Sequence, residues 1–167
     1  GFIVTNNKKL RDKLLMIRNH GMLKGYDTRL LGLNLRLPEI NAAIATVQMK
    51  KLPKFLKTRQ KNAELLSKLL SKLNLNLPVE RKNENVNWYL YTVTTSKRNI
   101  LLKKLNAKGI GAASYYPIPV HKTPFYKSKT KLPITDWAAS NVLSLPIHPK
   151  VTAKNIEFIA KTISEIF

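Results

Sequence analysis

The chain has 167 residues, of which 44% are hydrophobic, which is enough for one domain with a real core. It contains no cysteine, which excludes disulfides and thiolate metal sites, and its three histidines lack the spacing of a structural zinc site. Its net charge of +21 either attracts nucleic acid, anionic lipid or acidic ligands, or reflects a lysine-rich, solvated surface.

Targeting signals are not evident in the sequence. No apolar run reaches the roughly 18–20 residues of a membrane span. The apolar run Phe2–Val4 is too short for the core of a signal peptide. We therefore expect a cytoplasmic protein with no membrane partner and no metal.

The N-terminal part predicts one strand and one helix. β-branched residues favour a strand over residues 1–5. Asn7 is a suitable N-cap, and apolar residues at helical spacing predict a helix that ends near Arg18. Gly21 supplies the left-handed residue that stops this helix, and a loop follows to Leu37.

The longest predicted helix opens at Pro38 and Glu39. Proline is tolerated and glutamate is favourable in a first helical turn. Apolar residues continue at helical spacing as far as Leu73. Pro53 lies inside this pattern, so we expect a kink or a break there. The polar segment 74–85 predicts a loop.

The remaining sequence predicts short strands and helices. Aromatic and β-branched residues indicate a strand over 86–95, and helical spacing indicates a helix over 97–107. A second strand is expected at 111–115 and a short helix at 136–143. Thr152 is the expected N-cap of a last helix.

One stretch, Tyr-Tyr-Pro-Ile-Pro-Val-His at 115–121, combines tyrosines, prolines and a histidine. A second segment with prolines and a histidine follows at 143–149, Leu-Ser-Leu-Pro-Ile-His-Pro. The prolines hold the backbone extended. Phenol rings stack on sugars and bases, so the aromatic residues either line a binding cleft or pack a rigid loop. The candidate substrate-binding residues are Tyr115, Tyr116, His121 and Tyr126.

Six segments follow one another in a fixed order. They are Gly1–Asn6, Arg18–Gly21, Gly32–Arg36 with Glu39 and Ala42–Ala43, the helix positions Leu52, Arg59 and Ala63, Trp88–Tyr91, and the Tyr-Tyr-Pro-x-Pro-x-His stretch. In this order they resemble the DegT/DnrJ/EryC1/StrS family of sugar aminotransferases, which are pyridoxal-phosphate enzymes of fold type I. The resemblance covers nearly the whole chain.

The resemblance implies an α/β (α+β) fold, as in the C-terminal domain of fold-type-I aminotransferases. Such a domain has a small, mainly antiparallel sheet covered by helices, with one long spine helix. Residues 1–37 then correspond to the end of the large cofactor domain, and residues 38–167 to the C-terminal small domain.

The resemblance also implies roles for Asn34 and Arg36, which reach across a dimer interface to the phosphate of a neighbouring subunit's pyridoxal phosphate. An amide and a guanidinium both suit phosphate oxygens. Without the resemblance, a loop asparagine bonded to its own backbone and a solvated arginine explain the same residues. The family's Schiff-base lysine precedes the segment Gly1–Asn6, so no catalytic residue is assigned here.

We therefore expect the C-terminal fragment of a nucleotide-sugar aminotransferase of polysaccharide or antibiotic-sugar biosynthesis. Without the lysine domain we expect it to bind no cofactor and to be inactive alone, so whether this chain is itself an enzyme stays open. Its expected partners are a second copy or a complementing N-terminal half, and a nucleotide sugar once complemented. The alternatives are a purely structural remnant and a non-catalytic basic regulatory module that binds nucleic acid. The second of these lacks a helix-turn-helix pattern and a single-strand stacking platform.

Overall fold

The computed structural model describes residues 2–167 and divides the chain into two compact units, Gly1–Lys50 and Lys51–Phe167. The described part contains five α-helices, two strands and one 3-10 turn at Val120–Lys122. In chain order the elements are α1 (Lys8–Ile17), α2 (Glu39–Leu70), β1 (Tyr91–Thr94), α3 (Arg98–Ala107), α4 (Pro133–Asn141), β2 (Val142–Leu145) and α5 (Ala153–Ser164). No helix in this described range is long and apolar enough to be a membrane span.

The first unit begins with α1, whose two ends lie where the sequence predicts them. Asn7 Oδ1 accepts the N–H of Leu10 at 3.1 Å, which caps the N-terminus. Beyond Arg18 the chain turns at Gly21, which has a φ of +72° and donates its N–H to Met16 O at 2.8 Å. This left-handed glycine satisfies a carbonyl of the last helical turn.

The strand predicted over residues 1–5 is wrong for the described residues 2–5, which form no strand, and Gly1 lies outside the described residues. Extended backbone becomes a strand only when a neighbouring segment takes up its hydrogen bonds. Across residues 2–167, no segment pairs with this one.

The long helix α2 starts at Glu39 and continues through Pro53, so the expected break does not occur. Proline removes one N–H, and Met49, four residues earlier, loses its helical donor. Met49 is exposed, so water can take the donor's place. Apolar residues in the first half of α2, such as Ile40 and Ile44, are exposed rather than buried.

The second unit contains the sheet, in which β1 and β2 pair antiparallel. Tyr91 lies opposite Leu145 and Val93 opposite Leu143, so these four side chains share one buried face. Three helices cover that face with apolar residues at helical spacing. These are Ala63, Leu66 and Leu70 of α2, Leu101 and Leu105 of α3, and Ile156, Ile159 and Ile163 of α5. This arrangement confirms the predicted fold class.

Helix α5 starts at the predicted cap. Thr152 Oγ1 accepts the N–H of Asn155 at 3.3 Å, and Asn155 Oδ1 accepts the N–H of Thr152 at 3.0 Å. This reciprocal pair is a capping box, which satisfies two backbone donors at once.

Three predicted elements differ from the observed ones. The strand expected at 86–95 is reduced to β1, because Trp88 has a left-handed φ of +47°. The segment 111–115 makes only a single bridge, from Ala113 to Ser144. The helix expected at 136–143 ends at Asn141, and the next four residues form β2 against β1.

Hydrogen bonds attach the segment before β1 to α2. Glu80 Oε1 accepts the N–H of Val86 at 3.0 Å, and Gln60 Nε2 donates to Glu80 Oε2 at 3.1 Å. Trp88 Nε1 donates to Gln60 Oε1 at 2.6 Å. The hydrogen bond from Val86, followed by that from Gln60, lowers the pKa of Glu80 from its ordinary value of 4.5.

We expect Glu80→Gln to lower the free energy of unfolding at neutral pH. Because the folded-state pKa of Glu80 is depressed, its carboxylate stabilises the fold above pH 4.5, and this contribution is lost as pH falls through the folded pKa. Urea unfolding from about pH 7 to about pH 3 measures the change, since the difference from the unmodified chain shrinks towards acid. Glu84→Gln is the control, because within the described range the Glu84 side chain makes no hydrogen bond. Equal, pH-independent losses in both variants contradict this role.

Candidate functional site

The predicted phosphate-binding residues Asn34 and Arg36 lie on an extended segment along the end of α1. Leu33 donates its N–H to Ile17 O at 2.7 Å, and Leu35 donates to Arg18 O at 2.8 Å. Asn34 forms a bridge with Asn19. The backbone on both sides of Asn34 is therefore held, while the side chains of Asn34 and Arg36 are exposed.

A close approach of two glycines makes this arrangement possible. A Cβ at Gly32 would overlap the backbone of His20 and Gly21, and a Cβ at Gly21 would overlap Leu30 O. His20 has a φ of +56° and donates its N–H to Leu33 O at 3.0 Å. The histidine thus contributes to the loop through its backbone.

Arg36 lines a surface cavity of about 700 Å³ in the first unit, together with Arg18, Asp12 and Leu35. Asp12 is paired with Arg11 at 2.7 Å. In the described residues, neither Arg18 nor Arg36 forms an ion pair. Two guanidinium groups beside one cavity provide donors in the planar geometry that suits a phosphate.

The four predicted substrate residues Tyr115, Tyr116, His121 and Tyr126 all line one cavity of about 530 Å³ in the second unit. We call it the aromatic cavity. Its other walls are mostly apolar side chains, including Leu132, Ala138 and Val142. A pocket with aromatic and aliphatic walls and few polar groups is typical of a small-molecule site.

Local geometry brings these residues together although eleven positions separate the first from the last. The 3-10 turn Val120–Lys122 places His121 at the cavity. Tyr116 has a left-handed φ of +56°, which is unusual for a bulky residue. The rings of Phe125 and Tyr126 meet edge to face at 5.0 Å. Backbone strain of this kind clusters at binding sites.

Asp136 follows the cavity-lining residue Thr135 on α4 and lies near two basic residues of the 3-10 turn. His121 Nε2 is 3.9 Å from Asp136 Oδ1, and Lys122 Nζ is 2.7 Å from the same oxygen. His121 Nε2 is buried and has no hydrogen-bond partner among the described residues. The lysine therefore compensates the carboxylate, and His121 contributes mainly ring surface to the cavity.

Arg98 is a residue that the sequence analysis missed. It is buried, its Nε donates to Ser140 O at 3.0 Å, and its Nη2 donates to Ala139 O at 2.9 Å. These carbonyls end α4, the helix that forms one wall of the aromatic cavity. The helical spacing of Arg98 with the buried Leu101 and Leu105 was the available signal.

Known proteins match the chain in both sequence and structure. The sequence model of the DegT/DnrJ/EryC1/StrS aminotransferase family matches residues 1–164. A relative from Streptomyces venezuelae, "dTDP-3-amino-3,4,6-trideoxy-alpha-D-glucose transaminase", is 36% identical over 154 residues, which are 89% of this chain and 41% of that protein. The "Pleiotropic regulatory protein" of Geobacillus stearothermophilus is 32% identical over 174 residues, covering 100% of this chain and 47% of that protein.

Among solved structures, S. venezuelae DesV in complex with a ketimine intermediate superposes with a TM-score of 0.91 at 32% identity. The match covers 98% of this chain and 45% of that one. The chain thus spans about half the length of the relatives it matches. None of these matches favours the alternative of a nucleic-acid-binding module.

We expect Gly32→Ala to open the loop that carries Asn34, because the added methyl group overlaps the backbone of Gly21. Hydrogen exchange at the amides of Leu33 and Leu35 should accelerate. Gly25→Ala is the matched control, since Gly25 has a φ of +56° but no atom within 4 Å of its added Cβ. The control should show only backbone strain, about 1 kcal/mol. Unchanged exchange in Gly32→Ala argues against the close approach.

We expect Arg98→Met to lower the free energy of unfolding by about 1–3 kcal/mol, since two carbonyls of α4 lose their donors. Lys103→Met on the exposed face of α3 is the control, with an expected change within about 0.5 kcal/mol. Urea unfolding measures both. Faster hydrogen exchange confined to α4 in Arg98→Met identifies the affected element, and equal stabilities of the two variants oppose the assigned role.

Proposed function

The chain belongs to the DegT/DnrJ/EryC1/StrS aminotransferase family, and on this premise we propose that it is the C-terminal half of a pyridoxal-phosphate-dependent aminotransferase that acts on a keto-sugar nucleotide. The observation that carries this proposal is the aromatic cavity, which joins Tyr115, Tyr116, His121 and Tyr126 in one place. Named relatives support the substrate class, since their names specify dTDP-linked and UDP-linked sugars.

The cofactor would be bound in part by the first unit. Pyridoxal phosphate supplies the electron sink for moving an amino group. Arg36 has a guanidinium free of ion pairs within the described range, and Asn34 has an exposed amide on a braced backbone. These groups fit a phosphate. We assign them to the phosphate of the cofactor held by a second subunit, which makes the working enzyme a dimer.

The reaction also needs a lysine with a lowered pKa to bond covalently to the cofactor. In the family that lysine belongs to the half preceding the segment Gly1–Asn6. The proposed enzyme therefore works with that half, whether on the same polypeptide or on another, and residues 1–167 alone transfer no amino group. In this scheme residues 1–37 complete the cofactor domain and residues 38–167 form the small domain.

The substrate would be held by the second unit. Phenol rings offer flat faces for a sugar or base and hydroxyl groups for hydrogen bonds. The three tyrosines of the aromatic cavity are each at least half exposed at its mouth, so their faces are open to a ligand. Helix α4 contributes a further wall through Thr135, Ala138 and Ala139.

A chimera tests the proposal. Residues 1–167 are fused behind the upstream half of the S. venezuelae transaminase, and amino transfer to a keto-sugar nucleotide is measured. We expect activity in the fusion and none in residues 1–167 alone. The outcome that contradicts the proposal is a folded fusion that binds pyridoxal phosphate but transfers no amino group to any nucleotide-linked keto sugar.

Within the chimera, Arg36→Gln should weaken the binding of pyridoxal phosphate by about tenfold or more, because a charge-assisted hydrogen bond to phosphate is lost. Arg29→Gln in the same loop is the control, since Arg29 is paired with Asp27 at 2.7 Å. Titration of the cofactor by its visible absorbance measures both. Equal affinities of the two variants would remove Arg36 from the cofactor site.

A further inference from the structure

A lysine-rich segment borders the aromatic cavity. Tyr126 and Leu132 line the cavity, and Lys127, Lys129 and Lys131 lie in the five residues between them. All three lysines are exposed. Because Lys127 and Lys131 each adjoin a lining residue, their side chains start within one residue of the cavity wall.

Hydrogen bonds hold this segment against the turn that carries His121. Ser128 donates its N–H to His121 O at 2.8 Å, and Lys127 donates its N–H to Thr123 O at 3.0 Å. Ser128 Oγ accepts the N–H of Thr130 at 3.2 Å. Lys127 itself has a left-handed φ of +46°. A lysine in this conformation costs energy, so the hydrogen bonds fix it beside the cavity.

Positive charge predominates in the sequence around the cavity. Between Tyr115 and Lys150 the sequence has one acidic residue, Asp136, and that carboxylate is paired with Lys122. Lys127, Lys129 and Lys131 form no ion pair with any described residue. The border of the cavity is therefore positive and available to an anion, while its walls are aromatic and apolar.

We propose that the segment Lys127–Lys131 binds the diphosphate of the nucleotide sugar while the aromatic cavity holds its base. This inference rests on the proposed function and assigns the nucleotide half of the substrate to one place. The mostly apolar walls suit the flat face of a base better than a sugar, because the many hydroxyl groups of a sugar need more polar partners than a few phenols and one imidazole supply. Flexible ammonium groups suit a diphosphate, which presents negative charge in several directions.

Isothermal titration of residues 1–167 with UDP and with uridine tests the proposal. The triple variant K127A/K129A/K131A should bind UDP about tenfold more weakly, since three exposed charge contacts are lost. Its affinity for uridine should stay unchanged. In the unmodified chain, UDP binding should weaken as salt rises, and this salt dependence should be smaller in the triple variant.

The matched control is K68A/K72A/K103A, which removes the same charge from exposed positions elsewhere in the second unit. It should bind UDP within about twofold of the unmodified chain, because screened distant charges contribute little. Tyr126→Ala should weaken both uridine and UDP. Equal losses in the two triple variants would mean non-specific attraction and overturn the proposal, as would the absence of UDP binding by the unmodified chain.

These outcomes separate the inference from the proposed function. An active chimera whose K127A/K129A/K131A variant keeps its KM for the nucleotide sugar removes the lysine segment from the substrate site but leaves the aminotransferase intact. UDP binding as expected, with a folded chimera that binds pyridoxal phosphate but transfers no amino group, supports the nucleotide site and contradicts the aminotransferase.

Discussion

The antiparallel pairing of β1 with β2 is the constraint on which the second unit depends. β2 begins at Val142, directly after the last residue of α4, so the register with β1 also fixes where α4 ends. Thr95, just beyond β1, donates its N–H to Asn141 O at 3.1 Å. Arg98 donates to the two preceding carbonyls, those of Ala139 and Ser140. Since α4 is a wall of the aromatic cavity, a pairing of only four residues per strand helps to set the shape of that cavity.

The two proposed anion sites, one in each unit, are built differently. In the first unit, backbone hydrogen bonds and two closely packed glycines present Asn34 and Arg36 on a braced strand-like segment. In the second, lysines on a folded loop border a cavity of rings. Planar guanidinium groups favour one defined phosphate geometry, whereas ammonium groups tolerate several. That contrast suits the proposed roles, a cofactor phosphate with a fixed position and a substrate diphosphate that enters and leaves.

The elements that the sequence predicts correctly are those whose signal is local. Asn7, Gly21 and Thr152 mark helix ends through bonds to residues a few positions away, and all three act as predicted. The predicted and observed structures differ where contacts with distant residues determine the backbone conformation. The helix predicted over 136–143 includes Val142 and Leu143, but pairing with residues about fifty positions earlier places both in the strand β2. The left-handed backbone at Trp88 is held by Arg59, whose Nη1 donates to the carbonyls of Trp88 and Tyr89. Side-chain chemistry marks the tyrosines and His121 as candidates, but their spacing alone does not place them around one cavity.

The two tryptophans differ in surroundings, and this gives the protein two distinct optical signals. Trp88 is buried, stacks on Tyr91 with ring centroids 5.8 Å apart and donates its indole N–H to Gln60. Trp137 is half exposed on α4, next to residues that line the aromatic cavity. Emission from a buried, stacked indole reports on the core, whereas a solvated indole emits at longer wavelength and responds to its local surface. Loosening of the core and occupation of the cavity therefore change different parts of one fluorescence spectrum.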